Sequence, residues 1–115
     1  MIAATCHCGA VRIEVPYPPA TVTDCNCTLC RRYGVLWAYY NEADVRVFAQ
    51  PGVIDEYIRG RKEQRFGRCN ACGCVMFWQK LVAADGNEMG VNARNFEPNE
   101  LAAARVEKLD GFSLS

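Results

Sequence analysis

Cys69-Asn70-Ala71-Cys72-Gly73-Cys74 is the stretch on which the reading of the fold turns. Its first two cysteines are separated by two residues and followed by glycine, which permits the positive φ of a tight turn. Such a knuckle presents two thiolates to one ion, and it stands directly before the apolar run Val75-Met76-Phe77-Trp78. A half-site of the same kind, Cys6-His7-Cys8-Gly9, stands before Val11-Arg12-Ile13-Glu14-Val15. That run alternates apolar and charged side chains, as a half-buried strand does. Two half-sites of two thiolates each make a closed four-cysteine structural zinc site. The halves lie about sixty residues apart, so the ion would pin the first strand to the late part of the sheet. In a small domain such a staple contributes a large share of the folding energy.

Eight cysteines in 115 residues are several times ordinary usage, and they fall into three tight groups: Cys6 and Cys8; Cys25, Cys27 and Cys30; Cys69, Cys72 and Cys74. Disulfide scaffolds belong to oxidising compartments and close long loops. Here Met1-Ile2-Ala3-Ala4-Thr5 reaches a cysteine at once, unlike a secretion signal, so a reducing cytoplasm is expected. Iron–sulfur clusters require four cysteines each, in longer runs than these. Clusters spaced by one or two residues are instead how zinc sites are assembled.

Cys25-Asn26-Cys27-Thr28-Leu29-Cys30 offers three thiolates in six residues and no evident fourth. Three protein ligands with an open position is the pattern of a catalytic zinc, which activates what binds there. Cys74 or His7 could instead complete a second closed site; otherwise Cys74 is a buried apolar filler and His7 a surface or supporting residue. Arg31, Arg32 and Tyr33 follow at once, and Arg59, Arg61, Lys62, Arg65 and Arg68 come later. These cations form either a solvated turn and strand face or the contacts of an anionic small substrate. Trp37, Tyr39, Tyr40, Phe77 and Trp78 are core residues that could also wall one ligand.

The remaining sequence reads as short strands: 20–23, 35–40, 45–48, 53–58, 75–78, 88–92 and 105–109. Turns fall at Gln50-Pro51-Gly52 and at Arg59-Gly60-Arg61-Lys62, and Phe96–Ala104 reads as the one ordinary helix, with Pro98 near its start. The expectation is a mainly β, mostly antiparallel single domain over residues 1–115. Thirteen basic and thirteen acidic side chains cancel, which argues against nucleic acid or acidic lipid as a partner. No apolar run approaches the twenty residues of a spanning helix.

The three cysteine groups in their order and spacing, with Arg31-Arg32 after the second and Gly90-Val91-Asn92-Ala93-Arg94 further on, resemble the glutathione-dependent formaldehyde-activating family, also called the formaldehyde-activating and centromere-protein-V family. The resemblance spans nearly the whole chain. It implies an Mss4-like fold: several small coiled antiparallel sheets organised around zinc, with one or two short helices. It implies a structural zinc on Cys6, Cys8, Cys69 and Cys72, and a functional zinc on Cys25, Cys27 and Cys30 tied to glutathione. The implied activity is condensation of glutathione with formaldehyde to S-(hydroxymethyl)glutathione, a carbon–sulfur lyase reaction. Glutathione, or a similar small thiol, and a small aldehyde are then the expected partners, with Arg31, Arg32 and Arg65 the first choices to hold the carboxylates of the thiol. A non-enzymatic zinc-binding interaction module is the alternative. Two departures stand out: many relatives carry Thr-His-Trp where this chain has Met76-Phe77-Trp78, and the tail Asp110–Ser115 lacks their terminal Trp.

Overall fold

The computed structural model describes residues 1–59, 64–81 and 87–111. Among these residues the chain forms ten strands in two sheets. The small sheet has the order β1-β2-β5, from β1 (Ile2–Thr5), β2 (Val11–Val15) and β5 (Arg46–Ala49). The large sheet has seven strands: β3 (Thr21–Cys25), β4 (Trp37–Asn41), β6 (Ile54–Ile58), β7 (Gln64–Cys69), β8 (Val75–Lys80), β9 (Glu88–Asn92) and β10 (Arg105–Leu109). Their order is β10-β3-β4-β9-β8-β7-β6. Every pairing is antiparallel except that of β10 with β3.

The alternation seen in the sequence sets the layers. In β2, Val11, Ile13 and Val15 are buried while Arg12 stays outside. They meet Val22, Ala38, Tyr40, Met76, Phe77, Met89 and Val91 of the large sheet in one apolar cluster. The main core therefore lies between the two sheets. The opposite face of the large sheet carries a second cluster, which joins Trp37, Phe66 and Trp78 to Cys25, Cys27 and Cys30. β4 shows how the period-two side-chain rule makes this division. Ala38 and Tyr40 point into the main core, whereas Trp37 points to the cysteines.

The mainly β expectation holds, and most expected strands are found within two residues of their expected ends. The helix expected over Phe96–Ala104 is not there. A 3₁₀ turn at Pro98–Leu101 takes its place, begun by Pro98 and by the reciprocal capping of Glu97 and Glu100. Ala102-Ala103-Ala104 then offers no large apolar side chain to bury, and a short helix without a packed face does not propagate. The one α-helix among the described residues, α1 (Cys30–Tyr33), is a single turn that the sequence reading missed. β1 was missed as well; it is held by pairing Ala4 with Ile13 and Ile2 with Val15. Gly60, Arg61, Lys62 and the tail 112–115 lie outside the described residues. No helix is long and apolar enough to cross a membrane among the described residues.

Gly90 of β9 lies beneath Trp78, where a Cβ would stand 2.0 Å from the indole Nε1. Gly90→Ala is expected to cost about 1–3 kcal/mol through overpacking. Urea unfolding would measure that loss, and a shifted tryptophan emission in the folded variant would locate it.

Candidate functional site

The two knuckles fold alike. In the first, Gly9 adopts φ 82° and the Cys6 N–H bonds the Val11 carbonyl at 3.1 Å. In the second, Gly73 adopts φ 82° and the Cys69 N–H bonds the Cys74 carbonyl at 3.0 Å. Residues with a Cβ rarely take that backbone conformation. The turns bring Cys6, Cys8, Cys69 and Cys72 together, with all four Sγ atoms within 4.8 Å of one another. Cys6 and Cys8 are 3.7 Å apart, and Cys8 and Cys69 are 3.6 Å apart. A tetrahedral ion with sulfur bonds of about 2.3 Å places its ligands about 3.8 Å apart, so this donor set fits one ion. The pulls on these thiols differ: against the Ala10 amide, the Cys69 thiol, burial and the Cys6 and Cys72 thiols push Cys8 up to about 12. The Cys74 and Cys8 amides hold Cys72 down to about 5, and the Val11 N–H donates to Cys6 Sγ at 3.3 Å.

Cys25, Cys27 and Cys30 form the second group, again within 4.8 Å of one another and all buried. Cys25 ends β3 and Cys30 begins α1, so the loop between them wraps the three sulfurs around one point. α1 closes at Gly34, which caps the Cys30 carbonyl from a left-handed φ of 68°. Among the described residues this group acquires no fourth ligand. His7 and Cys74 both lie at the other cluster, where the His7 amide bonds the Cys74 thiol. Neither can complete the second site.

The environment of the three thiols is apolar and aromatic. Trp37 donates its indole N–H to Cys30 Sγ at 3.3 Å, and Phe66 and Trp78 extend the floor. Burial pushes the Cys30 thiol up to about 12, although the Trp37 bond opposes it. Burial also works against the Cys27 thiolate, but the Cys30 amide and thiol, then the Leu29 amide and the Cys25 thiol, outweigh it and bring Cys27 to about 7. The Cys30 N–H reaches Cys27 Sγ at 3.2 Å. From above, β10 covers the loop: the Asn26 N–H bonds the Leu109 carbonyl, and a Cβ on Gly111 would stand 2.6 Å from Cys25 Sγ.

Beside Cys27 opens a groove of about 440 Å³ lined by Thr28, Leu29, Arg32, Tyr57 and Arg59. Arg59 Nη1 stands 3.9 Å from Cys27 Sγ. Of the arginines chosen first from sequence, Arg32 lines the groove and Arg31 does not. Arg65 is engaged elsewhere, paired with Glu56 at 3.0 Å and bonded to Gln79. Arg68 is paired with Asp55 at 3.6 Å. Arg61 and Lys62 lie outside the described residues. Tyr57 was missed because it sits on an exposed edge strand with no neighbouring motif. Tyr40 and Phe77 belong to the main core, whereas Trp37 and Trp78 form the floor of the three-cysteine group. Tyr39 stands edge-on to Trp78 at 6.0 Å.

The sequence profile of the glutathione-dependent formaldehyde-activating enzyme family matches residues 1–108. The chain belongs to that family. Among solved structures, a crystal structure of a Rhodobacter sphaeroides protein superposes with a TM-score of 0.74 at 30% identity. That match covers 92% of this chain and all of the other. No curated protein matches the chain at comparable significance. Family, fold and geometry thus agree on two cysteine clusters that could hold metal ions, with donor chemistry consistent with zinc.

The two clusters should respond differently to loss of a ligand. Cys72→Ser is expected to unfold the domain, because it breaks the link between the two knuckles. Cys27→Ser should remove one metal equivalent and leave the sheets intact. Metal content per chain by plasma mass spectrometry, paired with circular dichroism on both variants, tests the contrast.

Proposed function

We propose that this chain is a zinc-dependent, carbon–sulfur lyase-type enzyme that joins a small thiol to a small aldehyde. Glutathione and formaldehyde, giving S-(hydroxymethyl)glutathione, are the first choice. The observation that carries this reading is the buried group of three thiols that finds no fourth ligand among the described residues and borders an open groove. Family membership supports the choice of thiol and aldehyde. In this reading Cys6, Cys8, Cys69 and Cys72 hold a structural zinc. Cys25, Cys27 and Cys30 hold a functional one. Zinc on three thiolates supplies an open coordination position at which an incoming thiol is favoured as thiolate.

The chain's own residues do the rest. Trp37 fixes Cys30 through its N–H, and the aromatic floor keeps water from the sulfurs. The Gly111 backbone closes the side above Cys25, so access is left to the groove. In the reaction, a sulfur lone pair forms the C–S bond while the C=O π pair moves to oxygen. Oxygen then takes up the proton that the thiol gave up, so no redox partner is needed. Imidazole is absent from this chemistry: the single histidine, His7, lies between Cys6 and Cys8. Met76, Phe77 and Trp78 are all buried at the position where many relatives have Thr-His-Trp. Rate enhancement therefore rests on thiolate formation and positioning.

We place the protein as one domain over residues 1–115 in a reducing cytoplasm, which suits eight free cysteines. Its net charge of zero makes nucleic acid a poor partner.

Exchange NMR on mixtures of glutathione and formaldehyde tests the reaction. The zinc-loaded protein should accelerate adduct exchange well above the buffer rate, and Cys27→Ser should return it to that rate. No acceleration with two zinc ions per chain removes the enzyme reading for this pair and favours a non-enzymatic zinc module.

A further inference from the structure

Among the described residues, the groove next to Cys27 holds two guanidinium groups, those of Arg32 and Arg59, and no carboxylate. Two like charges lining one groove repel unless something anionic lies between them. Three other arginines of the fold have protein partners. Glu56 takes Arg65, Asp55 takes Arg68, and the Gly34 carbonyl takes Arg94. Among the described residues, no acidic side chain lies within ion-pair distance of Arg32 or Arg59. Arg32 is nonetheless fixed in place, since its Nη1 donates to the Thr28 carbonyl at 2.7 Å. The same side chain lines the groove. Arg59 reaches in from the end of β6, with Nη1 at 3.9 Å from Cys27 Sγ. Tyr57 and Leu29 supply apolar surface between them, and the volume of about 440 Å³ is that of a small-molecule site.

We propose that this groove is the carboxylate subsite of the thiol substrate, with Arg59 as the residue that binds the carboxylate and Arg32 as its partner. The inference rests on the proposed thiol chemistry at Cys25, Cys27 and Cys30, and it deepens that reading by fixing the substrate class. The thiol must carry a carboxylate a short reach from its sulfur, because the cation stands beside the sulfur cluster. Planar guanidinium groups suit bidentate contact with carboxylate, which lysine does not reproduce. Charge balance points the same way. Three thiolates and one divalent ion sum to −1, so an anionic thiol approaching without the arginines would be repelled. A neutral or cationic thiol would bring no anion to either guanidinium group. The choice of Arg59 replaces Arg65, whose guanidinium is already bound to Glu56.

The test compares zinc-loaded wild type, Arg59→Ala and Arg59→Lys, with glutathione and with 2-mercaptoethanol, a neutral thiol that has no carboxylate. Metal content and circular dichroism establish that each variant is folded and loaded. Arg59→Ala should raise KM for glutathione about ten-fold or more, with kcat changed less than three-fold. KM for 2-mercaptoethanol should not rise, and Arg59→Lys should recover only part of the loss. Equal effects on both thiols, or no change in KM for glutathione, overturn the subsite. Calorimetric titration of glutathione separates the two levels of the argument. A wild type that binds glutathione without accelerating the reaction sinks the enzyme reading, while weaker binding by Arg59→Ala still upholds the subsite. A wild type that does not bind glutathione overturns the subsite outright.

Discussion

Four sulfur atoms drawn within reach of one ion are the constraint on which the rest of this structure depends. Cys8 and Cys69 lie 61 positions apart in the chain yet 3.6 Å apart in space. As thiolates they would repel one another, so the arrangement calls for a cation between them. A zinc ion bound by such a set contributes on the order of 10 kcal/mol. The whole stability of an ordinary domain is about 5–15 kcal/mol. The two knuckles each begin a strand pair: the first leads into β2 and the small sheet, the second joins β7 to β8 in the large one. Tying the knuckles therefore sets the two sheets face to face and traps Ile13, Met76, Met89 and Val91 between them.

The second cysteine group uses the same chemistry for a different end. It sits on the other face of the large sheet, away from the core that the first group anchors. Its support includes the Trp37 indole N–H, the Cys30 amide and Gly111 over Cys25. β3 and β4 share only one registered pair, Thr23 with Trp37, before the chain diverges into the loop that holds the thiols. The sheet is parted where the three sulfurs gather.

Much of this was legible from side-chain periodicity and cysteine spacing, because both are local. Val11–Val15, Glu88–Asn92 and Arg105–Leu109 are strands with the ends their patterns imply. The three groups of thiols were visible for the same reason. What escaped was set by partners distant in sequence. Ile2–Thr5 has no strong pattern of its own and becomes a strand by pairing with β2. Phe96–Ala104 carries a good helix start, but no apolar face follows to sustain it. The ranking of the arginines failed similarly. Arg59 and Arg65 look equivalent in sequence, and only the position of Glu56 tells them apart.

The parallel pairing of β10 with β3 ties the three-cysteine group to a much later part of the chain. All four thiols of the first cluster stand at or before Cys72 in the chain. The cover over Cys25 comes from Leu109 and Gly111, close to the end of the described residues. The first cluster is thus spelled out early and the second is enclosed late. A shortened C-terminus would uncover the three thiols while leaving every ligand of the four-cysteine group in the chain.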